Sequence, residues 1–184
     1  MMMIGGAMYL TRFADSMLQE RLNSAGAVLI RGPKGCGKTE TAMQKAKSIA
    51  RMDIDESVRI RMEIDPKLVL QGDVPRLIDE WQEYPIIWNH VRHEVDTRKQ
   101  KGQFILTGTS SVRDQARLHS GAGRFSVLTM RPMSLFERGW STGEVSLEGL
   151  VAGAIPKSDE VPFSLHELAG KIALGGWPGL IGTN

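Results

Sequence analysis

The sequence predicts an α/β fold, and three observations carry that prediction. Ala27-Val28-Leu29-Ile30 is a short apolar, partly β-branched run that reads as a buried strand. It leads directly into a glycine-rich loop, Gly32-Pro33-Lys34-Gly35-Cys36-Gly37-Lys38-Thr39. Beyond the loop, Ala42, Met43, Ala46, Ile49 and Ala50 recur at helical spacing. Strand, glycine loop and helix in that order form one half of an α/β unit.

The loop fits the pattern G-x-x-x-x-G-K-[ST]. A polyphosphate has to be wrapped by successive backbone N–H groups, so the chain must curl without Cβ atoms in the way. Gly32, Gly35 and Gly37 permit that curl. Pro33, Lys34 and Cys36 fill the variable positions between them. Lys38 would place a point charge on the outer phosphates, and the Thr39 hydroxyl can ligate Mg2+. Chance alone gives this pattern in on the order of 1% of chains this long. The alternative is a glycine turn beside a surface lysine, and the flanking strand and helix weigh against it. Cys36, beside a lysine and a helix start, is a candidate reactive thiol whose alkylation would block nucleotide binding.

Composition narrows the classes. The 184 residues suit one domain, or one domain and part of a second. A formal net charge of +2 is too small to indicate nucleic acid as a partner. The single cysteine excludes an intramolecular disulfide framework. No apolar run reaches the roughly 20 residues needed to span a bilayer, so no membrane is expected. The N-terminal residues lack the basic start and apolar core of a signal peptide. A soluble cytoplasmic protein is the expectation.

Taken in order, Ala14, Met17, Leu18 and Leu22 mark the apolar face of a first helix over 11–23. Ser57 to Ile64 alternates apolar and charged residues and predicts a half-buried strand towards a sheet edge. Val74-Pro75-Arg76-Leu77-Ile78-Asp79-Glu80 predicts a strand that Pro75 shortens to about three or four residues. It ends in two carboxylates. Asp79 would hold Mg2+, directly or through water, and Glu80 would polarise a water for in-line attack on a γ-phosphate. An isolated Asp-Glu pair is more often a solvated helix start; its position after an apolar run gives it the functional sense.

Residues 85–98 predict a surface helix with Ile86, Ile87, Val91 and Val95 inward and Trp81 and Trp88 packed near its start. His90 and His93 on it lack a third metal ligand of matching spacing. Gln103 to Thr107 predicts a strand ending at Gly108-Thr109-Ser110. Thr109 or Ser110 there could orient the attacking water, or simply cap the next turn. Arg124 to Met130 predicts another strand, and Ser134-Leu135-Phe136-Glu137 and Ser164-Leu165-His166-Glu167 are capping boxes opening helices. The expected division is an ATPase-type core over 1–140 and a linker with the start of a further region over 141–184.

The landmarks together resemble the prokaryotic AAA+-type ATPases that carry an uncharacterised C-terminal domain. The resemblance rests on Gly32-Pro33-Lys34 with Gly37-Lys38-Thr39, on Leu77-Ile78-Asp79-Glu80-Trp81-Gln82 and on Gly102 to Ser110. Ala122-Gly123-Arg124, Arg131 to Glu137 and Gly175-Gly176-Trp177-Pro178 complete it. It implies a P-loop NTPase, AAA+-like three-layer sandwich on a mainly parallel five-stranded sheet, with the catalytic strand beside the P-loop strand. ATP with Mg2+ is the implied ligand. Arg124 is implied as an arginine reaching phosphate in cis or from a neighbouring subunit of a homo-oligomer. Similar proteins continue past Gly-Gly-Trp-Pro, so most of a lid and a C-terminal domain are expected to be absent.

Three function classes follow. The first is an Mg2+-dependent ATPase driving a C-terminal partner domain. The second is a nucleotide-dependent switch or assembly module with little turnover. The third, a small-molecule P-loop kinase, would not need the water-activating Glu80. A GTPase ranks lower, since no Asn-Lys-x-Asp sequence is present to read guanine.

Overall fold

The computed structural model describes residues 9–109, 121–156 and 163–181. Two compact units divide between Arg131 and Pro132.

The first unit is built on five strands: β1 (Ala27–Arg31), β2 (Ser48–Arg51), β3 (Arg76–Asp79), β4 (Phe104–Gly108) and β5 (Phe125–Thr129). Every pairing is parallel and the order is β2-β3-β4-β1-β5. Parallel strands covered on both faces read as continuous apolar runs. Accordingly β4 is buried along its whole length, and β1 everywhere but Arg31. On one face Leu29, Ile78, Phe104 and Leu106 join a core with Val58 and Met62 of α3 (Glu56–Ile64) and Val91 and Val95 of α4 (Ile87–Arg98). α1 (Phe13–Ser24) packs on β1 and β5, and α2 (Lys38–Met43) on β1, β3 and β4. The five-stranded parallel α/β sheet is the one expected.

Its wiring differs from expectation in three places. First, β4 lies between β1 and β3, so the Asp79 strand is one removed from the P-loop strand rather than beside it. Both flanking strands use β4 as their ladder partner, with Leu106 level with Leu29 on one side and Ile78 on the other. Second, the helix after the loop stops at Met43, and Ser48 to Arg51 turns into edge strand β2 against β3. The ladder offered by β3 outweighs the helical spacing of Ile49 and Ala50.

Third, the alternating stretch 57–64 is helix α3, not a strand. The Asp55 side chain caps it by accepting from the Ser57 N–H at 2.9 Å. Val58 and Met62, four apart, are buried, whereas Ile60 and Ile64 are exposed. Arg59 pairs with Glu56 and, at 3.7 Å, with Glu63, the spacings that face each other on a helix. An alternation of period two contains every i, i+4 pair, so the pattern satisfied both periods.

Trp81 and Trp88 are buried with ring centroids 5.4 Å apart, as expected, and Phe125 stacks on Trp88 at 3.9 Å. Ile86 is exposed and drops out of the α4 stripe. Among the described residues no helix is long and apolar enough to cross a membrane.

In the second unit, the Ser134–Glu137 capping contacts form, but they close turns rather than open an α-helix. α5 (Leu147–Val151) is capped by Ser146, and α6 (Leu165–Leu174) starts at the Ser164–Glu167 capping box. Gly176 has a backbone reason to be glycine. The Met133 N–H donates to its carbonyl at 2.6 Å, and a Cβ there would sit on the Met133 backbone.

Candidate active site

Because the strands are parallel, the C-terminal ends of β1, β3 and β4 share one sheet edge. Arg31 opens into the glycine loop there, Asp79 ends β3 and Gly108 ends β4. Gly35 and Gly37 take φ of 78° and 97°, which a side chain resists. At Gly32 a Cβ would overlap the Met130 carbonyl oxygen and lie 3.1 Å from the Cys36 sulfur. Pro33, Lys34 and Gly35 are exposed on the crest of the loop. Lys38 is buried, and its ammonium donates to the Gly32 and Pro33 carbonyls at 3.0 Å each.

The two halves of the site meet at one oxygen. The Thr39 hydroxyl donates to Asp79 Oδ1 at 2.8 Å, across forty positions of sequence. The Thr107 hydroxyl, from the strand between them, donates to the same Oδ1. Thr107 is fully buried and Asp79 is 6% exposed, so their contact is a low-dielectric one, whereas the Thr39 contact is half-buried. Thr107 was not among the expected site residues. Its signal was a lone hydroxyl in the apolar run Phe104-Ile105-Leu106, where an unpartnered polar group would be costly.

Glu80 follows with φ 52° and ψ 47°, a left-handed conformation unusual for glutamate and of the kind that concentrates at functional sites. It leaves the carboxylate half-buried, accepting from the Gln82 side-chain amide. Gly108 makes room for this arrangement, since a Cβ there would collide with Gln82 Oε1 and meet Trp81 Nε1 at 2.9 Å. Among the described residues those two atoms have no hydrogen-bond partner.

The remaining expectations fare differently. Thr109 is exposed just past β4, on the correct sheet edge, while the hydroxyl that reaches Asp79 from this strand is that of Thr107. Ser110 lies outside the described residues. Arg124 precedes β5 at the opposite edge: its carbonyl accepts from Ala27 N–H, where β1 begins. β1 alone separates that edge from the loop by about 13 Å. Its guanidinium is paired with Asp96 at 2.8 Å. The structure therefore does not bring Arg124 to the loop within one chain. Cys36 is fully buried. Burial puts this candidate reactive thiol out of a reagent's reach in the closed loop.

The donors at the site are hard oxygens, a hydroxyl and a carboxylate, which suit Mg2+. No cluster of three or more His, Cys, Asp or Glu side chains converges on a metal position among the described residues. A search of curated proteins finds no match. A sequence model described as the AAA domain matches residues 24–138, a span holding the loop, Asp79, Glu80 and Thr107. With the parallel sheet and the loop at its C-terminal edge, this identifies the chain as a member of the AAA domain family, with an AAA-type P-loop ATPase core.

Proposed function

We propose that the first unit binds ATP with Mg2+ and hydrolyses it, using Glu80 as the base. The observation that carries this is the Thr39–Asp79 contact at 2.8 Å, with Glu80 the next residue along. The backbone N–H groups of 33–38 would cradle the phosphates, and Lys38 would exchange its loop-carbonyl bonds for phosphate oxygens. Thr39 and Asp79 would hold Mg2+, whose chemistry is to neutralise charge on the β- and γ-phosphates. Thr107 keeps the Asp79 carboxylate aimed at Thr39. Glu80 takes a proton from water as its oxygen bonds to the γ-phosphorus and the bond to the bridging oxygen breaks. ADP and phosphate are the products.

Arg124 fits this reading only from a neighbouring subunit, supported by its partial exposure and its distance from its own loop. Such an arrangement calls for a homo-oligomer. Work done by hydrolysis would be delivered to a further domain or partner protein.

A labelled-ATP assay tests the proposal. Lys38→Ala should abolish binding, and Glu80→Gln should bind ATP but not turn it over. Equal turnover in wild type and Glu80→Gln would sink the assignment of the base.

A second reading, a nucleotide switch with little turnover, is favoured by the Gln82 amide that occupies one Glu80 oxygen. Tight ATP binding that changes the mass in solution, without phosphate release, would select it. An unchanged mass with ATP would count against it.

A further inference from the structure

We propose that Arg12 is a positioning residue of the phosphate loop. The inference rests on the ATP-binding reading of that loop. The Arg12 side chain reaches under the loop and is 6% exposed. Its two terminal nitrogens fork: Nη1 donates to the Cys36 carbonyl at 3.0 Å and Nη2 to the Arg131 carbonyl at 2.9 Å. Arg131 is fixed in turn, because the Met130 N–H before it donates to the Arg31 carbonyl at 2.8 Å. The loop is thereby tied to the end of the β5 strand through one guanidinium.

The consequence follows from peptide geometry. A trans peptide points its C=O and the next N–H in opposite directions. Pinning the Cys36 carbonyl onto Arg12 therefore points the Gly37 N–H away from Arg12. Gly37, at φ 97°, is the most freely rotating position of the loop's second half, so without the pin this peptide is the one most able to flip. Anion cradles work by aiming consecutive N–H groups at one point, and a flipped peptide would present a carbonyl to phosphate instead.

Arg12 is itself held. Its N–H donates to Asp15 Oδ2 at 2.8 Å, and Asp15 Oδ1 accepts from the Tyr9 hydroxyl at 2.6 Å. Tyr9 also lies 3.0 Å from the Thr41 hydroxyl of α2. The segment before α1 thus holds the loop at the Cys36 carbonyl and the helix that follows it at Thr41. A planar fork reaching two carbonyls is a task for arginine; a lysine ammonium cannot reproduce the two-pronged geometry.

The test uses the full chain, a fluorescent ATP analogue and inorganic tripolyphosphate as competitor. Arg12→Met should weaken both ligands by the same factor, about tenfold or more, since the loss lies in the phosphate cradle. Arg12→Lys should recover part of the affinity. Val95→Ala, a cavity in the core at α4, is the control for general loosening. It should lower the melting temperature while leaving both affinities at the wild-type level. Folded Arg12→Met with wild-type tripolyphosphate affinity would overturn the proposal, as would an equal loss in Val95→Ala. If Arg12→Met does not fold, Arg12→Lys decides: wild-type affinity there refutes the fork. Failure of the wild type to bind either ligand would instead refute the ATP-binding reading.

Discussion

Thr107 donates its hydroxyl hydrogen bond to Asp79 Oδ1, the oxygen that Thr39 reaches from the glycine loop. One carboxylate oxygen therefore reads the loop on one side and the intervening strand on the other. The order β3-β4-β1 makes this possible, because it puts a β4 residue between the two halves of the site.

Thr107→Val keeps the shape and removes the donor. A hydrogen bond to a charged group is worth about 1.5–3 kcal/mol, so turnover should fall about tenfold to a hundredfold. Thr109→Val, on an exposed residue past the strand end, should stay within about twofold of wild type by the same reasoning. Steady-state ATPase rates on the two variants check this. The reverse ranking would return the role to the strand tip.

Much of this was legible in the sequence because it is local. Gly32 to Thr39 demands its own backbone, and Asp79-Glu80 announces itself by following an apolar run. The parts that were not legible depend on what lies beside each residue. Thr107 acquires its role only from a neighbour 28 positions away. Ile49 and Ala50 become strand because β3 offers them a ladder. Arg12 has no motif, and its importance lies in the two carbonyls it bridges. Arg124 shows the converse: a sequence landmark that the fold carries to the far edge of the sheet.

The helical assignment of 56–64 makes a sharp prediction. In a strand, Val58 and Ile60 would share one face and be equally sensitive. In α3, Val58 is 2% exposed and Ile60 is 47% exposed. Val58→Asp should therefore cost about 3 kcal/mol or more by burying an unpaired charge. Ile60→Asp should cost less than about 1 kcal/mol. Urea unfolding of both variants measures the difference. Similar losses would argue for the strand.

Cys36 is the single cysteine of the chain, so thiol labelling reports on it alone. Full burial against Gly32 means a reagent can reach it only when the loop opens. Labelling of the native protein should be at least about a hundredfold slower than in urea, tracking the opening equilibrium. Native labelling at the rate of a free thiol would show the loop to be more open than this packing allows.

Tyr9 ties pH to the anchoring of the loop. Burial first, and then the hydrogen bond to the Asp15 carboxylate, push its phenol well above the ordinary value of 10.0. The sign follows from linkage. Below pH 10 the phenol is neutral in both folded and unfolded chains, and its contribution to stability is complete. Above that, the unfolded chain loses the proton while the folded chain retains it. Stability from Tyr9 therefore falls as pH rises through and beyond 10. Wild type should be more stable than Tyr9→Phe at pH 8, where the hydroxyl contacts to Asp15 and Thr41 are intact. The gap should narrow steadily between pH 10 and 11. Paired urea titrations across that range cancel the alkaline response the two proteins share. A gap that stays constant would mean that Tyr9 titrates alike in both states, and that the phenol does not hold its proton in the folded anchor.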